Sequence, residues 1–143
     1  MIKASACLGV STLCEGVGPK PLKVLLIEDD VITRKVMRAL FEGAGHTVRD
    51  AADGRKAVAL LDQVTPDLVV TDIIMPEKDG FELIRDLRRT RPTVNIIAIS
   101  GGGRVDAADY LKMATAFGAH RVLAKPFNGE ELMALVSDLF PDV

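Results

Sequence analysis

The chain has no tryptophan, and aromatic residues make up only 4% of its 143 positions. Its core must therefore be aliphatic, built from Val, Leu, Ile, Ala and Met. Cysteine is scarce too: both copies, Cys7 and Cys14, lie in the first twenty residues. They cannot staple a core, and nothing near them adds further metal ligands. They read as free thiols in a reducing compartment, with a bridge or a lipid attachment as alternatives. No stretch approaches the roughly 18 apolar residues of a membrane span. The net charge of −2 gives no electrostatic case for a nucleic-acid surface. Apolar material, by contrast, is plentiful. Hydrophobic residues are 48% of the chain, which places it among globular proteins. A chain of this length is one domain by the usual prior, with enough interior to bury a core.

The first twenty residues lack a sustained period. They close with Gly16-Val17-Gly18-Pro19-Lys20-Pro21, punctuation that marks a boundary. A signal peptide fits poorly, because Glu15, glycines and serines break up the apolar stretch. A start placed too far upstream, or a short tether, fits better. The expected organisation is a flexible tail over 1–21 and a folded domain over 22–140.

From Leu22 the chain alternates between two patterns. Continuous apolar runs, read as buried strands, are expected at Leu22 to Ile27, His46 to Ala51, Asp67 to Asp72, Val94 to Ile99 and Arg121 to Ala124. Between them lie helical spacings. The first carries Val31, Met37, Leu40 and Phe41 and stops at Gly43 and Gly45. The second carries Ala57, Val58, Leu60 and Leu61 after an Asp53-Gly54 turn or cap. The third carries Phe81, Leu83, Ile84 and Leu87, with an exposed basic face of Arg85, Arg88, Arg89 and Arg91. A fourth runs from about Val105 to Phe117, after the flexible glycines Gly101, Gly102 and Gly103. The last runs from about Gly129 to Leu139, with Asn128 as its N-cap. Five strand–helix units in strict alternation imply an α/β fold: a parallel five-stranded sheet with right-handed crossovers and helices on both faces. Such folds bind ligands outside the carboxyl ends of their strands, at the switch point in strand order.

Chemistry-bearing residues gather at those strand ends. Asp72 ends the third strand, Glu28 and Asp29 follow the first, Ser100 follows the fourth and Lys125 follows the fifth. Three carboxylates at close quarters repel unless a cation sits between them. Mg²⁺, which takes oxygen ligands, suits such a set. The competing reading is that each acid simply caps the next helix, and Asp30, immediately before Val31, fits that reading better than the metal. A serine before three glycines is ordinarily a loop residue, and a lysine before Pro126 is unremarkable, although the proline favours an ordered turn and allows a cis bond. Jointly they describe an aspartate nucleophile with Mg²⁺, a hydroxyl donor and an ammonium, a constellation able to take a phosphoryl group.

With those residues in place, the stretch from about Leu22 to Leu139 resembles the receiver domain of two-component response regulators. Glu28-Asp29, Asp72 with Met75-Pro76 and Asp79-Gly80, Ser100, and Lys125-Pro126-Phe127 carry the resemblance. It implies a doubly wound flavodoxin-like or CheY-like (βα)₅ sheet in the order 2-1-3-4-5. It also implies that Asp72 accepts a phosphoryl group from a histidine kinase or histidine phosphotransfer protein. Asp29 and Asp72 would bind Mg²⁺ directly, Glu28 through water, and Ile74 through its backbone carbonyl, while Lys125 and Ser100 contact the phosphoryl group. The expectation is a cytoplasmic signalling domain, standing alone or cut from a longer chain, with only self-catalysed phosphotransfer and dephosphorylation. Its downstream protein target is unknown, it has no direct nucleic-acid or membrane partner, and a homodimer on phosphorylation is one option.

The sequence departs from the family pattern in three places. Val122 stands three positions before Lys125, where the family often has an aromatic, so no aromatic rotamer switch is available. The segment from Ser100 to Lys125 is slightly long, and a mobile loop is expected beside the site. Ile74 is apolar two positions after Asp72, where its side chain would hinder an attacking water. That same residue opposes a haloacid-dehalogenase-type phosphatase, which carries a second Asp there. A receiver reduced to a phosphate-independent scaffold is the other rival. The missing aromatic favours it, and the intact acids, Ser100 and Lys125 oppose it.

Overall fold

A computed structural model of the protein describes residues 21–73, 80–101, 112, 114–116 and 118–141. The expectations for the tail with Cys7 and Cys14, for Ile74, Met75, Pro76 and Asp79, for Gly102 and Gly103, and for most of the fourth helix lie outside the described residues. The elements are β1 (Lys23–Ile27), α1 (Val31–Gly43), β2 (Thr47–Ala51), α2 (Gly54–Leu61), β3 (Leu68–Asp72), α3 (Gly80–Thr90), β4 (Asn95–Gly101), β5 (Arg121–Lys125) and α4 (Gly129–Leu139). Residues 112 and 114–116, within the expected fourth helix, are helical.

All five strands pair in parallel, in the order β2-β1-β3-β4-β5, so the expected sheet is the observed one. Successive side chains on a strand point to opposite faces, and both faces are covered. Leu25, Ile27, Val69, Ile96 and Ala98 face Ala57 of α2, Leu83, Ile84 and Leu87 of α3, and Ala114. Val24, Leu26, Val70, Ile97 and Ile99 face Met37 and Phe41 of α1 and Leu132 and Val136 of α4. This two-sided burial is why the strands read as unbroken apolar runs and not as alternating ones.

Local chemistry sets the helix ends. Asp30 caps α1, accepting from Thr33 N and Thr33 Oγ1. Asp53 caps α2, and Asn128 with Glu131 forms a reciprocal capping box at α4. Gly45 turns the chain after α1 at φ +96°, a left-handed conformation that favours glycine.

Several expectations need correcting. The fourth and fifth strands run slightly further than Ile99 and Ala124: the parallel ladder continues to the pairs Ser100–Ala124 and Gly101–Lys125, so Ser100 is the last residue but one of β4 and Lys125 the last of β5. Val31 and Val58 have helical spacing but are exposed. Val31 is the first residue of α1. The basic face of α3 is narrower than expected. Arg88 turns inwards to donate to the carbonyls of Pro92 and Val94, and Arg91 reaches the carbonyl of Leu61.

Candidate functional site

The switch point of the sheet lies between β1 and β3, whose helical connections depart to opposite sides. Glu28 and Asp29 leave the carboxyl end of β1, and Asp72 is the last residue of β3. One carboxylate oxygen from each of the three lies within 4.8 Å of the others. Glu28 and Asp72 are buried, whereas Asp29 is exposed. Lys125 completes the cluster from β5. Its Nζ lies 2.8 Å from Glu28 Oε1 and 3.2 Å from Asp72 Oδ2. One ammonium thus bridges the two buried acids.

The electrostatics follow from that packing. Burial is the largest influence on Glu28 and pushes its carboxyl up to about 7; the Lys125 contact opposes the rise and the Asp72 charge adds to it. Burial also acts on Lys125, pulling it down, but the contact with Glu28 and the charge of Asp72 outweigh it, so the ammonium is held above its ordinary value. Asp30 is lowered by its bonds from Thr33, as expected of a helix cap standing apart from the cluster.

Ser100 is fully buried in β4, and its Oγ has no hydrogen-bond partner among the described residues. Its position is one pair beyond Ile99, the register partner of Asp72. The Lys125–Pro126 peptide is cis. Val122 is half-buried against the core of the α2/α3 face, so an aliphatic side chain fills the place where an aromatic was sought. The structure therefore brings together Glu28, Asp29, Asp72 and Lys125, and places Ser100 on the same rim. The Ile74 carbonyl lies outside the described residues.

Some supporting groups escaped the sequence reading. Thr71 Oγ1 donates to the Asp72 carbonyl at 2.9 Å. Asp30 N donates to Glu28 Oε2 at 3.1 Å, and Arg34 Nη1 donates to the Glu28 carbonyl at 2.9 Å. The first two are neighbours in sequence and could have been suspected. The third needed the angle at which α1 leaves β1.

Three carboxylates and a bridging ammonium at a strand-end rim are equipped to hold a hard cation and to position a phosphoryl group. The profile of the response regulator receiver domain matches residues 24–137. The transcriptional regulatory protein CpxR of Klebsiella pneumoniae is 36% identical over 114 residues, covering 80% of this chain and 47% of that protein. The sensor kinase CckA of Brucella abortus is 37% identical over 119 residues, 81% of this chain and 12% of that protein. The chain thus spans about half or less of these relatives' lengths. Among solved structures, the chemotaxis response regulator CheY4 of Vibrio cholerae superposes with a TM-score of 0.75 at 28% identity, covering 84% of this chain and 99% of that one.

Proposed function

The chain belongs to the response regulator receiver domain family, whose role is to accept a phosphoryl group on an aspartate, and we propose that Asp72 is that acceptor here. The observation that carries the reading is the environment of its carboxylate. Asp72 ends the central strand, is nearly buried, touches Lys125 at 3.2 Å and neighbours the acidic pair Glu28 and Asp29.

In the transfer, an Asp72 oxygen attacks phosphorus, the P–N bond of a donor phosphohistidine breaks, and the imidazole leaves with the electron pair. Lys125 exchanges its contact with Asp72 for one to a phosphoryl oxygen. The unpartnered Ser100 hydroxyl donates to a second oxygen. Glu28, Asp29 and Asp72 fit Mg²⁺: Asp29 and Asp72 would hold it directly and Glu28 through water. When bound, the ion neutralises charge on the transferring group.

The donor is a histidine kinase or histidine phosphotransfer protein. It docks on the surface beside Asp72, where Ile32 and Val36 of α1 lie exposed and border, with Pro126 and Phe127, a groove of about 520 Å³. Thr33 and Lys125 line that groove too, so it runs up to the acidic site. Residues 22–140 form the receiver, with 1–21 as a tail. No described helix is long and apolar enough to cross a membrane, and a cytoplasmic location fits the donor.

The test is labelling by a small-molecule phosphodonor with and without Mg²⁺. Wild type labels only with Mg²⁺, and Asp72→Asn does not label. Equal labelling of the variant would show that another group accepts the phosphoryl.

A further inference from the structure

Arg34 has no part in the roles above, yet it touches the acidic turn. Its Nη1 donates to the main-chain carbonyl of Glu28 at 2.9 Å. That carbonyl belongs to the peptide joining Glu28 to Asp29, the two acids that leave β1. The same short turn is held from three other directions. Glu28 N donates to Ala51 O of β2 at 3.1 Å. Asp30 N folds back to Glu28 Oε2 at 3.1 Å. The Asp30 carboxylate is tied into α1 through Thr33 N at 2.8 Å. Arg34 lies one turn into the same helix and reaches back to the strand end, closing a ring from strand to turn to helix to strand.

Within that ring, the Asp29 carboxylate is the exposed member of the acidic cluster. It makes no hydrogen bond or ion pair among the described residues. Its main chain alone therefore fixes where the side chain starts, and the peptide on its amino side is the one Arg34 holds.

We propose that Arg34 is a positioning residue for the cation site: by fixing the Glu28–Asp29 peptide it presents the Asp29 carboxylate to the ion already oriented. The inference rests on the reading of Glu28, Asp29 and Asp72 as the Mg²⁺ ligands. It makes a prediction opposite in sign to that of charge alone. A guanidinium beside three carboxylates repels an incoming cation, so if it acted only as a charge, its removal would tighten Mg²⁺ binding. If it orients a ligand, its removal weakens binding, as loss of outer-shell partners of metal ligands generally does.

The experiment measures Mg²⁺ affinity by calorimetric titration of the full chain, alongside the Mg²⁺ dependence of its labelling by phosphoramidate. It compares wild type, Arg34→Met, which keeps the aliphatic stem without the donor, and Arg34→Ala, which also lacks the donor and gives the same reading should the first not fold. Arg38→Gln is the control. It breaks the ion pairs of Arg38 with Glu42 and Asp50 elsewhere on α1 and so reports general loosening of the helix. The half-saturating Mg²⁺ concentration is expected to rise about tenfold in the Arg34 variants, with the rate at saturating Mg²⁺ near that of wild type and the control unmoved. A half-saturation within twofold of wild type, or below it, overturns the proposal. Wild type that labels without Mg²⁺ refutes the metal assignment itself, whereas Mg²⁺-dependent wild type with unshifted variants refutes only the role of Arg34.

Discussion

At the scale of single residues, the charge balance of the site turns on Lys125. Its ammonium is shared by Glu28 and Asp72, so it does two opposing things. It compensates buried negative charge, and it competes with any cation that enters. Replacing it with methionine separates them. Lys125→Met leaves Glu28 buried without its partner, which costs about 1–2 kcal/mol; the rise of the Glu28 carboxyl keeps this below the usual penalty for an orphaned buried charge. The same change removes a repulsive charge, so Mg²⁺ should bind about fivefold tighter or more. Calorimetric titration reads the second effect and chemical denaturation the first. A variant that binds Mg²⁺ more weakly would show that Lys125 organises the acids instead of competing for them. Each of these residues was legible in the sequence as a polar group ending an apolar run. Their contacts were not. No spacing says that Lys125 reaches both Glu28 and Asp72, or that Arg88 turns inwards while Arg85 stays out, because those choices depend on how a helix sits on the sheet.

At the scale of elements, α1 shows where reading by period succeeds and where it stops. Met37 and Phe41 are buried, as the spacing required. A second apolar set, Val31, Ile32 and Val36, is exposed, with Ile32 at 73%. Periodicity identifies a helix with apolar positions but cannot distinguish the stripe that meets the sheet from one left for a partner. Here Met37 and Phe41 join the core on the sheet, whereas Ile32 and Val36 line the open groove beside Pro126 and Phe127. If the donor docks there, Ile32→Asp with Val36→Asp should cut the transfer rate from a cognate phosphohistidine protein by tenfold or more, the yield of roughly 1.4 kcal/mol of lost contact. Labelling by a small donor should be unchanged. A loss of both activities would place the defect in the acidic site and not in docking.

At the scale of the whole molecule, the sheet carries a matched device on its amino-terminal edge. Its two edge strands, β2 and β5, are each preceded by a histidine. Leu22 N, at the start of β1, donates to His46 Nδ1 at 3.0 Å, and Thr47 N returns to Leu22 O at 2.9 Å. Ile96 N of β4 donates to His120 Nδ1 at 3.1 Å, and His120 N returns to Ile96 O at 2.9 Å. Each imidazole thus joins an edge strand to its inner neighbour, and each must be neutral to accept. Burial holds His46 below its ordinary value of 6.5; burial, and then the charges of Arg88 and Arg121, hold His120 below it as well. A histidine lowered in the folded state contributes stability above its unfolded pKa. That stability is lost as the pH falls from about 6.5 towards the folded value, because the unfolded chain takes up the proton first. Glu28 works the other way. Its carboxyl is raised to about 7 from 4.5, so acidification across that range favours the folded state and partly masks the histidines. A comparison separates the two. His46→Asn with His120→Asn keeps an acceptor near each Nδ1 without a titrating ring, and leaves Glu28 untouched. Between pH 7 and 5 the melting temperature of wild type should fall relative to the double variant by about 2–4 °C for each kcal/mol of lost hydrogen bonding. Parallel melting curves across that range would mean that the two imidazoles accept these bonds without stabilising the sheet edges.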